Sequence, residues 1–272
     1  MGLGRPVPGL RLLLYHSVGP RLENDWYGMT IPPQLFHMQM LALKHHRLLR
    51  VVPLRWPPEE PATATSVVVT FDDGYRDTLL TAAPILADLG LPFTVFITRA
   101  YVRSGDPCYL TVKQLKRLAQ VPGCTIGSHA LTHRPLTMLD HWTLKYELRE
   151  SRWWLEDKIG KPVTMLSYPH GAVNAIVLEA VQDAGYVIGA GSGWGINTLR
   201  CQPLVLRRTE VLRFDTLRMF QQKVAGAWDW RRLRHSAVQA TDWVDSNGHR
   251  MAMSDHGRDD DGQDEGGSGN TG

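Results

Sequence analysis

The chain has 272 residues, 43% of them hydrophobic, with 30 Lys+Arg against 27 Asp+Glu and a net charge of +3. That is enough apolar material for one sizeable core, so a chain disordered throughout is excluded. Nucleic acid is not an expected partner, because the cations are scattered and form no dense Lys/Arg block. The acids gather in the tail, where Asp255, Asp259, Asp260, Asp261, Asp264 and Glu265 face only Arg258. Cys108, Cys124 and Cys201 are widely spaced. They suggest neither a disulfide framework nor a CxxC metal site, and they fit a reduced, cytoplasmic location. The N-terminal apolar run 10–15 is interrupted by Arg11 and too short for a signal sequence or a membrane span, so no transmembrane segment is expected.

Residues 10–15 read as a first strand, followed by a loop through Pro20. Leu35, Phe36, Met40, Leu41 and Leu43 recur at helical spacing and predict a helix over 33–48, before a short apolar run at 49–54. Pro53, Pro57, Pro58 and Pro61 mark a loop. The β-branched run 66–71, bounded by Asp72, Asp73 and Gly74, has the character of a fully buried parallel strand. A helix over 78–88 with Gly90 as its stop and a strand over 92–98 complete a strand–helix–strand unit. Helices over 112–119, 141–159 and 175–184 then alternate with strands over 125–126, 165–168, 186–190 and 204–211. This repetition predicts an α/β fold with a parallel sheet or barrel. A last helix over 214–224 follows, and 228–234 either extends it or docks on the barrel. Residues 1–244 are expected to form a single domain and the Gly/Asp/Ser-rich segment 245–272 to be disordered.

Polar groups gather where these strands end: Asp72 and Asp73 after 66–71, His129 and His133 after 125–126, and Pro169-His170-Gly171 after 165–168. In a parallel barrel the C-terminal strand ends open onto one face, so the three groups are expected to converge on one pocket. Asp-Asp-Gly alone also fits a solvated turn, but the apolar strand before it places the pair at the edge of a core. His129 and His133 are four residues apart, a spacing that brings both rings to one side of a helical turn and suits Zn²⁺. An isolated H-x₃-H is a weak signal, and packing or surface roles stay open among eleven histidines. Asp73 supplies a third, anionic ligand. One Asp and two His leave a coordination position for water, as hydrolysis requires. Asp72 is then free to take a proton from the attacking water, and the backbone N–H of His170 to help hold the oxyanion. Zn²⁺ is the expected ion; Co²⁺, Ni²⁺ or Fe²⁺ suit the same ligands.

Taken in order, Thr70-Phe-Asp-Asp-Gly74, His129-x-x-x-His133 and Tyr168-Pro-His-Gly171 resemble the first three motifs of the polysaccharide deacetylase (NodB-homology) family, carbohydrate esterase family four. Leu14-Tyr-His-Ser-Val18, Gly90-Leu-Pro-Phe-Thr-Val-Phe96 and Ile126-Gly-Ser-His129 are also similar to family segments, and the likeness runs over roughly residues 10–225. The resemblance implies a distorted (β/α) barrel with fewer than eight strands and a metal-dependent deacetylase or related amidase. It matches Asp72 to the general base, Asp73 to the metal-binding Asp, and His129 and His133 to the metal-binding histidines. His170 stands where the family usually has Tyr, whose backbone N–H assists the oxyanion.

The chain also departs from the pattern. Ser167 takes the place of an Arg that in many members positions the catalytic Asp, so either the base is less well oriented or another arginine substitutes. Ala130 sits where Ser or Thr is usual. No Leu-x-His occurs near the end of the barrel, where many members carry the acid for the leaving amine; Leu206-Arg-Arg-Thr-Glu210 stands there instead. His16, at the end of the first strand, is the leading substitute, with a packing or capping role as the alternative, and Glu210 is a weaker one. Trp194 is read as stacking on a sugar or as packing.

The expected activity is hydrolysis of an N-acetyl or similar N-acyl group from an amino sugar in a glycan or glycan precursor. C–N hydrolysis on a small non-sugar amide and a catalytically weak carbohydrate-binding barrel are the alternatives. A closed pocket lined by charged groups favours the small amide, and an open groove with exposed aromatics favours the glycan.

Overall fold

The computed structural model describes residues 9–23, 25–58 and 65–231, together with the strand residues Trp243–Val244 and Arg250–Met251. The chain divides into two units, Met1–His235 and Ser236–Gly272. In the second, Trp243–Val244 pairs antiparallel with Arg250–Met251. The rest of the tail for which disorder is expected lies outside the described residues.

Two apolar runs make the centre of the first unit. Gly9–Tyr15 (β1) is buried at every position, and Thr65–Phe71 (β5) at every position but Ser66. Their side chains have no wet face, which is the condition for a parallel strand covered on both sides. Phe93–Ile97 (β6), Cys124–Ser128 (β7), Met165–Ser167 (β8), Ile188–Ala190 (β9) and Arg208–Glu210 (β10) complete a parallel sheet in the order β10-β1-β5-β6-β7-β8-β9. A parallel bridge from Ala190 to Leu206 brings β9 to the segment leading into β10 and closes the circuit. The seam is held by Leu206 N–H to Gly189 O (2.8 Å) and Gly191 N–H to Leu206 O (2.9 Å). Seven strands therefore run round a distorted (β/α) barrel, as expected. Leu49–Val51 (β4) lies off this circuit against the first half of β5, and Ser17–Val18 (β2) pairs with Thr30–Ile31 (β3) above β1.

Alternation along β1 sorts the core. Leu10 and Leu12 join Val68, Phe96, Ile188 and Leu206 inside the barrel, while Leu13 and Tyr15 join Val67, Val69 and Phe71 beneath the helices. Those helices are Pro33–Lys44 (α1), Ala83–Leu89 (α2), Arg99–Arg103 (α3), Val112–Leu118 (α4), His141–Ile159 (α5), Ala175–Asp183 (α6) and Leu217–Val224 (α7). None of the described helices is long and apolar enough to cross a membrane.

Several boundaries differ from the predicted ones for local reasons. The helix expected over 33–48 stops at Lys44, because no apolar residue between Leu43 and Leu48 anchors another turn. The helix expected over 78–88 opens as a π-helical turn, Thr78–Ala82, before α2, since Pro84 has no N–H for the regular ladder. The strand expected over 204–211 is a 3₁₀ turn, Pro203–Val205, followed by β10. The last helix begins at Leu217, where Thr216 caps it by accepting from Met219 N–H. Residues 229–231 form a 3₁₀ turn on the barrel rather than a helix extension, fixed by Asp229 to the buried Arg11 at 2.8 Å.

The seam depends on the lack of a side chain at Gly189. A Cβ there meets Leu204 O at 2.1 Å and the Tyr168 hydroxyl, itself bonded to Leu204 O, at 2.7 Å. Gly189→Ala is expected to lower the thermal midpoint of unfolding by forcing the closing strand away, at a cost of about 1–3 kcal/mol. Calorimetry against the parent protein checks it.

Candidate active site

The site grows from the strand ends. Asp72 and Asp73 follow β5, His129 follows β7, and Ser167 ends β8. Asp73 Oδ1 lies 3.5 Å from His129 Nε2 and 3.3 Å from His133 Nε2. The three donor atoms are all within 4.8 Å of one another. Asp73 Oδ1 is buried and accepts no hydrogen bond. A carboxyl oxygen left unpaired between two imidazoles is a donor arrangement that a cation would complete. Asp73, His129 and His133 thus fit the divalent ion the sequence implies, and sequence reasoning placed all three together.

The histidines do not sit on a helical turn, as the spacing suggested. Residues 129–133 form an irregular loop, with Ala130 at φ 60° and His133 at φ 65°. His129 donates from Nδ1 to Ser167 O at 2.8 Å, which turns its Nε2 lone pair toward Asp73. His133 is held by rings: Tyr101 lies 5.4 Å and His170 4.6 Å from it, centroid to centroid. Tyr101 in turn stacks on Tyr109 at 4.4 Å, and Tyr109 on Tyr75 at 4.9 Å. Burial pushes the Tyr109 hydroxyl up to about 12, with the Asp73 charge adding to the effect, so this wall stays neutral.

Burial also pushes both imidazoles down, His129 to about 4 and His133 to about 3, and the two rings oppose each other's charge or that of His170. Asp72 and Asp73 pull the other way on His129 without reversing the shift. In the metal-free protein His129 is therefore expected to remain the neutral Nδ1–H tautomer at pH 5.5, where an unstructured histidine is mostly protonated. Long-range ¹H–¹⁵N spectra read this directly. Between pH 6.5 and about 3 the unfolded chain binds protons that these folded imidazoles refuse. Their contribution to stability is present above pH 6.5 and is lost as the pH falls through that window.

Asp72 faces the barrel interior and is gripped by a residue the sequence did not single out. Arg208, on β10, donates from Nη1 to Asp72 Oδ1 and from Nη2 to Oδ2, both at 2.7 Å. Ser167 Oγ donates to the same Oδ2 at 2.9 Å and accepts from Arg208 Nη2 at 2.8 Å. Burial raises the Asp72 carboxyl, but Arg208 and then His129 more than offset it, holding Asp72 well below the usual carboxylate range. Ser167 therefore does not replace the missing arginine; it completes a bidentate pair brought from another strand. A signal existed. Arg208 shares strand parity with the buried Leu206 and is in register with the inward Leu12, and an inward arginine needs a buried anion.

The other candidates fall in graded positions. His16 is half-buried, its Nδ1 has no hydrogen-bond partner, and its charge acts on Asp72, Asp73 and His133. His170 is exposed at φ 58°, with Nε2 donating to His133 O at 3.2 Å. Trp194 packs: it is 2% exposed, with Arg231 4.9 Å and Lys223 5.2 Å from its ring. A further unpredicted residue, Glu147 of α5, accepts from Leu131 N–H (2.9 Å) and Thr132 N–H (3.0 Å) between His129 and His133. Asp73, Ala130, His133 and His170 are the four non-glycine residues with positive φ among the described residues. All four border this one site, where strain is held by its surroundings.

Comparison with known proteins agrees with this geometry. A family model described as Polysaccharide deacetylase matches residues 59–189, a span that encloses all three motifs. A curated Bacillus subtilis (strain 168) relative, "Putative polysaccharide deacetylase YxkH", is 28% identical over 184 residues, which is 66% of this chain and 63% of the relative. The match thus spans less than two thirds of that relative's length. Among solved structures, the Streptococcus pyogenes deacetylase PplD in complex with acetate superposes with a TM-score of 0.71 at 23% identity, covering 80% of this chain and 99% of that one. IcaB from Ammonifex degensii gives 0.70 at 20% identity, covering 82% and 99%. Both share the barrel. With the motifs in family order at the ends of its strands and the family model laid across them, the chain is similar to the polysaccharide deacetylase family over the segment that carries the site.

Proposed function

We propose that the protein is a metal-dependent hydrolase that removes an N-acetyl or similar N-acyl group from an amino sugar in a glycan. The observation that carries the reading is an Asp73/His129/His133 donor set beside an ionised Asp72 locked by Arg208. A divalent ion at these ligands, Zn²⁺ by the donor chemistry, polarises the amide carbonyl and makes water more acidic. Asp72, kept charged and aimed by Arg208, takes the proton of the attacking water. The His170 backbone N–H is assigned to the developing oxyanion and His16 to protonation of the leaving amine.

A glycan is favoured over a small amide by the rim. Trp26, Tyr27 and Phe214 are 79%, 65% and 67% exposed on the loops that leave the C-terminal ends of β1 and β10. These loops are tied together by Arg213 N–H to Gly28 O at 2.7 Å and by Arg213 to Asp25 at 3.6 Å. Exposed rings on a braced loop suit the apolar faces of sugars. PplD, solved with acetate, holds the acid that N-acetyl hydrolysis releases.

Acetate and amine release from N-acetylated sugars, nucleotide sugars and short oligomers, with Zn²⁺ and with chelator, tests the reading. Release that requires both metal and Asp72 supports it. Turnover confined to non-sugar amides overturns the substrate class, and metal or sugar binding without turnover on any of these compounds leaves a binding barrel.

A further inference from the structure

The loop that carries both histidine ligands is strained and has no glycine to relieve it. Ala130 and His133 hold left-handed conformations, which are unfavourable for a side-chain-bearing residue. Ala130 has no polar side chain with which to fix the turn itself. Something outside the loop must therefore select this conformation.

We infer that Glu147 is the positioning residue that sets the metal-binding loop, and through it the affinity for the divalent ion. Its side chain, on an otherwise amphipathic helix, is turned inward and the residue is 2% exposed. Oε2 takes Leu131 N–H and Thr132 N–H, and Oε1 takes the Thr132 hydroxyl. Among the described residues no Lys or Arg forms an ion pair with it. A buried carboxylate whose donors all come from one three-residue arc is a clamp on that arc.

The rest of the loop is held from two sides. Ser151, one turn further along α5, is 3.0 Å from Ser128 Oγ, which accepts Ala130 N–H at 3.2 Å. From α3, Ala100 N–H donates to Leu131 O at 2.8 Å. Among the described residues, Glu147 alone accepts the N–H groups of Leu131 and Thr132. Without Oε2 as an acceptor, Leu131 and Thr132 are each left with an unpaired N–H, and the backbone is free to leave the left-handed region that aims His133 at Asp73.

The inference rests on the metal reading, so the test separates the two. Zn²⁺ affinity of the full chain is measured by competition with a chromophoric chelator, alongside the visible spectrum of the Co²⁺ form. Glu147→Leu, which removes the acceptor, is expected to weaken Zn²⁺ binding about 10–100-fold, the usual effect of losing a partner behind the ligands. Its Co²⁺ spectrum should shift, and activity should return toward the parent value at saturating metal. Thr132→Val removes one bond and is expected to weaken binding about fivefold; it decides the matter if Glu147→Leu fails to fold. Glu156→Gln is the control. That carboxylate, on the same helix, bonds Val163 N–H and Arg152 and does not touch the loop, so it should lower thermal stability with Zn²⁺ affinity unchanged. No Zn²⁺ binding by the parent overturns the metal reading. Parent-like affinity in Glu147→Leu and Thr132→Val, with only the melting point lowered, overturns the positioning role alone.

Discussion

Asp72→Asn is expected to keep bound Zn²⁺ while the turnover number falls about 10²–10⁴-fold, the range for loss of a general base. Asp73→Ala and His133→Ala should instead lose metal and activity together. The contrast follows from geometry. Asp73 Oδ1 sits between the two histidine Nε2 atoms, whereas both Asp72 oxygens are taken by Arg208 and Ser167. Metal content by elemental analysis, measured with initial rates on the same preparations, separates the two classes. An Asp72→Asn protein that turns over at the parent rate would remove Asp72 from the reaction.

Arg208→Met is expected to be the most damaging single change to stability, at about 3–5 kcal/mol, because it strands a buried carboxylate. It should also push the Asp72 carboxyl upward, since burial is then opposed mainly by His129. The acid limb of the pH–rate profile then moves to higher pH: Asp72 must be charged to act, and a raised pKa keeps it protonated further up the scale. The double variant Asp72→Asn/Arg208→Met should recover much of the lost stability and none of the activity. Denaturant unfolding of the four proteins gives the coupling, and additive losses would show that the pair is not one unit.

The clustering of Asp72, Asp73, His129 and His133 was legible because these groups follow apolar strands, and parallel strands of a barrel end on one face. What was not legible is what holds them. Arg208 reaches Asp72 across 136 residues of chain, and no local pattern links a three-residue strand to a distant turn. The H-x₃-H spacing suggested a helix, whereas the loop takes left-handed geometry at Ala130 and His133 without the glycine that normally announces it. Glu147 lay in a helix rich in charge, where an inward carboxylate reads like its solvated neighbours. The long helix itself matched the expected 141–159 because its caps, Asp140 and Gly160, and its apolar period agree.

The position of β10 bears on how the site comes into being during synthesis. β1 and β5 emerge early and form the centre of the sheet, yet the counter-ion for Asp72 arrives only with the last strand of the circuit. Until then a nascent barrel holds an uncompensated carboxylate at its heart and an open edge on β1. Partial chains ending before Arg208 should accordingly be poorly protected against proteolysis, and protection should appear abruptly once β10 has docked. The residue that orients the base thus also serves as the latch for the finished fold, which couples production of a folded molecule to production of a competent one.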